Sequence, residues 1–373
     1  MHLQSVYIEN LRNLVSTTYE WSPGFNYLYG PNGAGKTAIL EAIYVLSMGR
    51  SFRSRKTQTL IQHDAEALLL RGVVSQSNDA GAHKLALRKH RSGQSQLRID
   101  GQNRHRMSDL AKLLPVQVML PDTSEIVLGA PQRRRSYMDW GLFHVEQQFL
   151  ETATVYSRTL SQRNAWLKSD AQSHGVGRDP WLEQLLKAGV AIADMRKRFL
   201  SLLEPPFQAL LDEFVLPDDI ALTLQSGGLE DLESAEKKLG ESWSRDVKFG
   251  TTHFGPHRAD LAISVGGRGA SDVLSRGQAK LVSSALLLAQ LEVMREQFDR
   301  PTVVLIDDYG AELDNQHWIK FSQTLRHLGC QVLATSNELP GREIAQWADP
   351  ATFRLFHVEQ GVARQEALTS GSS

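Results

Sequence analysis

An α/β architecture carrying a second, mainly helical lobe is predicted by three observations. An apolar, glycine-bounded strand pattern at residues 25–29 runs straight into a glycine-rich loop and then a helical pattern. Far down the chain, the run from Pro301 to Ile306 reads as a buried strand that ends on two carboxylates, Asp307 and Asp308. Between these two features lies a long stretch poor in glycine, with apolar residues at helical spacing. The 373 residues suit about two domains. With 41% hydrophobic and 22% charged residues the chain is globular, which excludes wholesale disorder and a fibrous repeat. No run approaches the roughly 18 apolar residues of a membrane span. The opening residues lack the basic-then-apolar order of a secretory signal. Cys330, the single cysteine, excludes a disulfide framework and a cysteine-built metal site. A cytoplasmic protein is expected.

The elements follow in order. The strand at 25–29 is bounded by Gly24 and Gly30. After Gly35-Lys36, residues Ala38, Ile39, Ala42, Ile43 and Leu46 recur at i, i+3/i+4, so a helix is predicted over 38–48, ended by Gly49. Further strands are predicted at 67–75, 84–90 and 116–120. Helices are predicted at 147–167 and 181–214, the second kinked or broken at Pro205-Pro206, where two amide donors are lost. Gly227-Gly228 and the acidic stretch 230–241 read as the far end of this region. Strand texture returns at 261–265, followed by a long helix at 278–298 and strands at 303–306 and 331–335. A last edge strand is predicted at 353–358, and the tail from Ala367 as disordered. No internal repeat is present. Two lobes are expected, one of 1–120 with 248–373 and a helical one of 121–247.

Residues Gly30-Pro31-Asn32-Gly33-Ala34-Gly35-Lys36-Thr37 match Gly-x-x-x-x-Gly-Lys-Thr in full. Glycines let consecutive backbone N–H groups point into one concavity that holds β- and γ-phosphates. Lys36 adds a point charge on the transferring phosphate, and the Thr37 hydroxyl is suited to Mg²⁺. Strand before and helix after are the context this motif requires. Asp307, at the carboxyl end of a buried strand, suits the Mg²⁺-binding acid, and Asp308 suits the group that orients or deprotonates the attacking water. Leu274-Ser275-Arg276-Gly277-Gln278 opens the long helix; free N–H groups there favour an anion, although a serine helix cap accounts for Ser275 equally well.

The order of phosphate loop, Leu-Ser-x-Gly-Gln and Asp-Asp resembles the ABC-type ATPases, and the long interval before the second motif resembles SMC-like heads. That resemblance implies an ABC-type, SMC-like head, with two protomers sandwiching two ATP molecules and Ser275, Gly277 and Gln278 facing the nucleotide of the partner. It also implies a dimer-contact loop at Glu312-Leu313-Asp314. More specifically, several stretches are similar to the RecF family of bacterial recombination and gap-repair ATPases: Ile8-Glu9-Asn10-Leu11-Arg12-Asn13, Leu40-Glu41-Ala42-Ile43-Tyr44, Gly49-Arg50-Ser51-Phe52-Arg53, Gly129-Ala130-Pro131 with Arg133-Arg134-Arg135, and Gly255-Pro256-His257-Arg258-Ala259-Asp260. The similarity spans residues 1 to about 358. It implies ATP-dependent DNA binding and slow, DNA-stimulated ATP turnover. It further implies cooperation with RecR and RecO in loading RecA at gaps, and support of replication and the SOS response. Three positions depart from the general ABC pattern. Asp308 stands where Glu is usual, Ser336 or Asn337 stands where a His is usual, and the loop glutamine is not obvious, with Gln117 the candidate and Pro121-Asp122 at the expected place.

Net charge is −1, so bulk charge says nothing about nucleic acid, but positive charge is clustered. Arg50, Arg53, Arg55 and Lys56 are four basic residues in seven, and residues 84–106 hold seven Lys/Arg against Asp100 alone. The first cluster is assigned to the DNA backbone, contacted without sequence readout. Residues 84–106 read either as a second such surface or as a solvated hairpin, and Arg133–Arg135 either as DNA contacts or as partners of acids in the arm. Arg12 and Asn13 are placed at nucleotide phosphate, with a plain surface turn as the alternative. The rival readings are a transporter ATPase subunit, an SMC-like tether and a small-molecule phosphotransferase. An insert of ~120 residues interrupted by two prolines opposes an extended coiled coil.

Overall fold

The computed structural model describes residues 1–54, 56–75, 81–169, 179–217, 219–229, 231–308, 315–339 and 351–366. Contacts group the chain into two compact units, 1–123 with 295–373, and 124–294. The strand after residue 260 and the helix opened by Ser275 therefore group with the helical unit, rather than with the first unit from residue 248 onward.

The first unit opens with strands β1 (His2–Glu9), β2 (Thr17–Glu20) and β3 (Phe25–Tyr29), then helix α1 (Lys36–Met48). It continues with β4 (Ala67–Ser75), β5 (Ala82–His90), β6 (Ser95–Ile99), β7 (Gln102–Arg104), α2 (Ser108–Leu113) and β8 (Val116–Met119). The helical unit holds α3 (Glu125–Leu128), α4 (Pro131–Val145), α5 (Phe149–Ser169), α6 (Leu182–Glu213), β9 (Ile220–Gln225), α7 (Leu232–Phe249), β10 (Asp260–Val265), β11 (Arg268–Gly269), α8 (Ala270–Val273) and α9 (Arg276–Glu292). The chain returns to the first unit with β12 (Val303–Ile306), α10 (Asn315–His327), β13 (Gln331–Ser336), β14 (Phe353–Glu359) and β15 (Val362–Glu366).

Two sheets build the first unit. One is an antiparallel meander in the order β2-β1-β4-β5-β6-β7; the other has the order β15-β14-β3-β13-β12-β8 and is parallel except for the β14–β15 hairpin. Helix α1 shares one buried cluster with both. Ile39, Ile43 and Leu46 pack with Leu3, Leu70 and Leu87 of the meander and with Leu28, Leu305 and Leu333 of the parallel sheet. A helix covered on both sides has almost no face left for water, and ten of its thirteen residues are buried. Gln331, at the start of β13, stitches the sheets together: its amide donates to Leu3 O and Ser22 O, and its carbonyl accepts from Leu3 N. The parallel order puts the carboxyl ends of β3, β12 and β13 at one edge, where an α/β sheet binds its ligand.

Several sequence expectations are corrected. The break allowed for at Pro205-Pro206 does not occur: α6 is continuous for 32 residues. The carbonyls that lose their N–H partners belong to Ser201 and Leu202, an exposed turn where water replaces the missing donors, while Leu203, Phe207 and Leu210 hold the helix from its buried side. The region around Gly227-Gly228 is not the tail of that helix. It holds β9, paired antiparallel with β10, and the acidic stretch belongs to the separate helix α7. The regular part of α9 stops at Glu292 and continues as a π-turn over Val293–Gln297. β14 is not an edge strand, because β15 covers it; Gln360 and Gly361, both at positive φ, make the tight turn between them. The expected dimer-contact loop, Arg55 and the tail from Ala367 lie outside the described residues. No described helix is long and apolar enough to cross a membrane.

Candidate functional site

The loop from Gly30 to Thr37 joins β3 to α1 at the carboxyl edge of the parallel sheet. Gly30 has φ 151° and its Cα lies against β14, so that a Cβ there would stand 2.1 Å from Val358 O. Gly35, at φ 115°, caps α1 in the left-handed region that a side chain rarely adopts. Lys36 Nζ donates to Gly30 O at 2.6 Å, Pro31 O at 2.9 Å and Asn337 Oδ1 at 3.1 Å. Burial lowers the Lys36 pKa, and the charges of Asp308 and Asp307 oppose that shift.

β12 and β13 deliver the acids. Thr37 Oγ1 donates to Asp307 Oδ1 at 2.9 Å, and Thr335 Oγ1 donates to the same oxygen at 2.8 Å. The Thr335 hydroxyl also accepts from Asp308 N at 2.9 Å, fixing a residue whose φ of 55° is unusual for a non-glycine. Thr37, Asp307 and Thr335 thus present converging oxygens, a hard donor set that fits a Mg²⁺ completed by phosphate oxygens and water.

These groups line a cleft of about 320 Å³. Lys36, Thr37, Asp307 and Asp308 all face it, as do Asn32, Gly33 and Gly35 of the loop. Ala34 is buried and acts through its backbone, its carbonyl accepting from Gly361 N at 2.8 Å. Asn13 lines the cleft and braces the loop, its amide donating to Gly33 O at 3.0 Å. Arg12 lines it too, but its guanidinium is engaged elsewhere: Nε and Nη2 each donate to Glu41 at 2.9 Å, and Nη1 donates to Thr59 O at 2.7 Å. Glu41 is fully buried in α1 and also accepts from Ser51 Oγ, which in turn holds the backbone N–H groups of Arg53 and Ser54.

Two candidates move. Arg53, assigned to DNA from its cluster, is exposed and lines the nucleotide cleft, because the Glu41–Ser51 link folds its loop back over that side. Gln117 does not line it. It sits inside β8 opposite Val304, and Pro121, four residues on, is the residue that reaches the cleft. Arg50 and Lys56 are exposed. Ser275 caps α9 in a reciprocal box: its hydroxyl accepts from Gln278 N at 3.2 Å and its N–H donates to Gln278 Oε1 at 3.0 Å. Ser275, Arg276 and Gly277 are exposed in the helical unit. Glu41, Ser51 and Thr335 were missed from sequence. Only Glu41 carried a signal, as a lone acid in an apolar helical run, since a buried charge must be paired.

Comparison with known proteins places this geometry. The model of the RecF/RecN/SMC N-terminal domain matches residues 2–363. The DNA replication and repair protein RecF of Azotobacter vinelandii is 39% identical over 369 residues, 97% of this chain and 98% of the relative. That of Pseudomonas aeruginosa is 39% identical over the whole of both chains, 375 aligned residues. A solved structure of the recombination mediator protein RecF with ATP, of the RecFOR pathway, aligns with a TM-score of 0.85 at 27% identity over 98% of each chain. An Smc head bound to the C-terminal winged-helix domain of ScpA aligns at TM-score 0.59 and 14% identity, a likeness of fold alone. With that identity sustained over nearly its full length, and an ABC-type head of the SMC kind around the phosphate loop, the chain belongs to the RecF family.

Proposed function

We propose that the protein binds ATP with Mg²⁺ in the cleft of the first unit and that ATP closes two copies on DNA at single-strand gaps. There it acts in the cytoplasm with RecR and RecO to load RecA, in support of replication restart and the SOS response. The observation that carries the reading is the convergence of Lys36 Nζ, the Thr37 hydroxyl and the Asp307 carboxylate on one cleft at the end of a phosphate loop. In this reading Lys36 leaves its carbonyl partners for the β- and γ-phosphates, while the N–H groups of residues 33–37 hold the phosphate oxygens. Thr37 and Asp307 would hold Mg²⁺, which would supply charge neutralisation at the phosphates. Asp308 orients and deprotonates the attacking water, and Asn337, beside Lys36, faces the terminal phosphate in place of the missing histidine. An aspartate base one methylene shorter than glutamate favours slow hydrolysis, so ATP serves as a switch. Ser275 and Gly277, exposed on α9, face the nucleotide of the second copy.

Arg50 and Lys56 are assigned to the phosphodiester backbone, and Arg53 to the nucleotide. The test is fluorescence anisotropy of a labelled duplex with a single-strand extension, titrated in ATP and in ADP. Binding in ATP alone, steep in protein concentration, is expected; equal binding in both nucleotides, or in neither, overturns the ATP-gated clamp. Asp308→Asn is expected to lower ATP turnover at least tenfold with ATP affinity kept, measured by phosphate release and by equilibrium binding. A wild-type turnover of about 10 s⁻¹ or more overturns the switch.

A further inference from the structure

The helical unit carries a groove that no nucleotide chemistry explains. Its deeper part, about 380 Å³, lies between the N-terminal half of α4, α5, α6 and the loop Gly255–Pro256–His257. A second, shallower part continues along α5 and shares Ala153 and Ser157 with the first. Along its length the groove presents Arg135 and Ser136 from α4, then Ser157, Arg158, Ser161 and Gln162 from α5. Asp139 is the only acid among the described lining residues, and it already accepts from Arg196 at 2.7 Å.

The cations are unequally committed. Arg134, deeper in, is paired with Asp260 through two hydrogen bonds of 2.7 and 2.8 Å, and belongs to the packing of α4 against β10. Arg196 is buried on Asp139 and Pro256 O. Arg135 and Arg158 form no ion pair among the described residues. Arg135 donates only to the neutral carbonyl of Ala259 at 2.7 Å, and Arg158 is exposed on α5. Burial and the like charges of Arg196 and Arg258 make the charged form of Arg135 less favourable, opposed in part by Asp260 and Asp139. Opposite, Tyr156 and His257 bond to each other at 2.7 Å and fix the floor.

Phe149, Leu160 and Ile192 give the deeper part an apolar floor beneath these polar groups, and arginine with serine and glutamine along its rim is a donor set that holds phosphodiester oxygens of a duplex and reads no base. We propose that this groove is a second DNA-backbone track, in which Arg135 and Arg158 contact consecutive phosphates and the hydroxyls of Ser136, Ser157 and Ser161 position them. The proposal rests on the ATP-gated DNA reading above and adds to it a site on the helical unit, apart in sequence from Arg50 and Lys56.

The test measures duplex affinity of the full chain in ATP from 50 to 200 mM salt. Arg158→Glu and Arg135→Gln are compared with wild type and with Arg50→Glu. Each groove variant is expected to weaken binding at least fivefold at low salt and to flatten the dependence of log Kd on log salt by about one per lost cation. In a second readout, Ser161→Cys supplies an accessible thiol, Cys330 being buried, and DNA is expected to slow its alkylation several-fold. Affinity and salt slope like wild type in Arg158→Glu, with the introduced thiol of Ser161→Cys alkylated equally fast with and without DNA, overturn the groove; weakening in Arg50→Glu at the same time leaves the DNA reading standing. Absence of wild-type DNA binding in ATP overturns both.

Discussion

Glu41 links more of the site than any residue the motifs pick out. It is fully buried on α1, accepts twice from Arg12 and once from Ser51, and through Ser51 shapes the loop that carries Arg53 to the cleft. Glu41→Gln keeps the shape but turns one acceptor into a donor facing the guanidinium. A loss of about 1–3 kcal/mol in urea unfolding is expected, together with weaker ATP binding. Stability unchanged within about 0.5 kcal/mol contradicts this role. His257 gives a pH signature. Its Nε2 lies 3.0 Å from Thr252 O, a carbonyl that keeps a proton on that nitrogen, and its Nδ1 lies 2.7 Å from the Tyr156 hydroxyl. Burial holds its pKa below the ordinary value. The unfolded chain then binds the proton first, so this contribution to stability is complete above about pH 6.5 and is lost as pH falls toward the depressed folded pKa. His257→Gln is expected to flatten the part of the pH–stability curve below about 6.5 that belongs to this ring, as read by unfolding at a series of pH values. The phosphate loop and both acids were legible in the sequence because each motif carries its own geometry. The partners of Arg12 were not, since nothing local says that a residue on a first turn meets a carboxylate on α1.

Elements with an unmixed period read well. β4 and β12 were placed to the residue and β13 to within one; β12 and β13 are buried on both faces and read as continuous apolar runs bounded by polar turns. β1 and β9 were missed although Val6 and Ile8, and Ile220 and Leu222, alternate with more exposed neighbours. Four to eight residues of alternation do not stand out beside longer helical patterns. The prolines of α6 do not break the helix, because packing along one buried face holds it together. At α9 the structure carries the cap, and the signature role is separable from it. Ser275→Ala is expected to lower stability by about 1 kcal/mol, the value of an N-cap. It is also expected to abolish ATP-dependent dimerisation in light scattering. A variant that loses only the cap energy and still dimerises makes Ser275 a helix cap and nothing more.

Across the whole molecule, the first unit is made of chain segments widely separated in sequence, and this shapes what composition and motifs can reveal. Helix α1 sits between a meander drawn from residues 2–104 and a sheet drawn from 25–29, 116–119 and 303–366, so its all-round apolar pattern reflects a sandwich and not a helix on a single surface. Ile43, fully buried in that layer, is expected to cost about 2–5 kcal/mol when replaced by alanine, measured by chemical unfolding. The helical texture from about residue 130 was legible, and its reading as an inserted lobe rested on the order of the motifs and the family resemblance, whereas the grouping of residues 248–294 follows from pairing and packing that no local pattern encodes.

The hairpin turn at Gly361 has a consequence for how the protein is made. Gly361 N donates to Ala34 O at 2.8 Å, and Gly361 O accepts from Val15 N at 3.0 Å, so the phosphate loop is clasped by the last hairpin of the sheet. β3, which launches the loop, has both its neighbours, β13 and β14, in the closing part of the chain. The loop leaves the ribosome well before β13 and β14, its walls. A nascent chain therefore carries the motif without a formed site until those two strands have emerged, and ATP competence waits for them. A chain stopped after Glu359 is expected to retain the meander but to bind no ATP, a difference that nucleotide retention on stalled ribosome complexes would display.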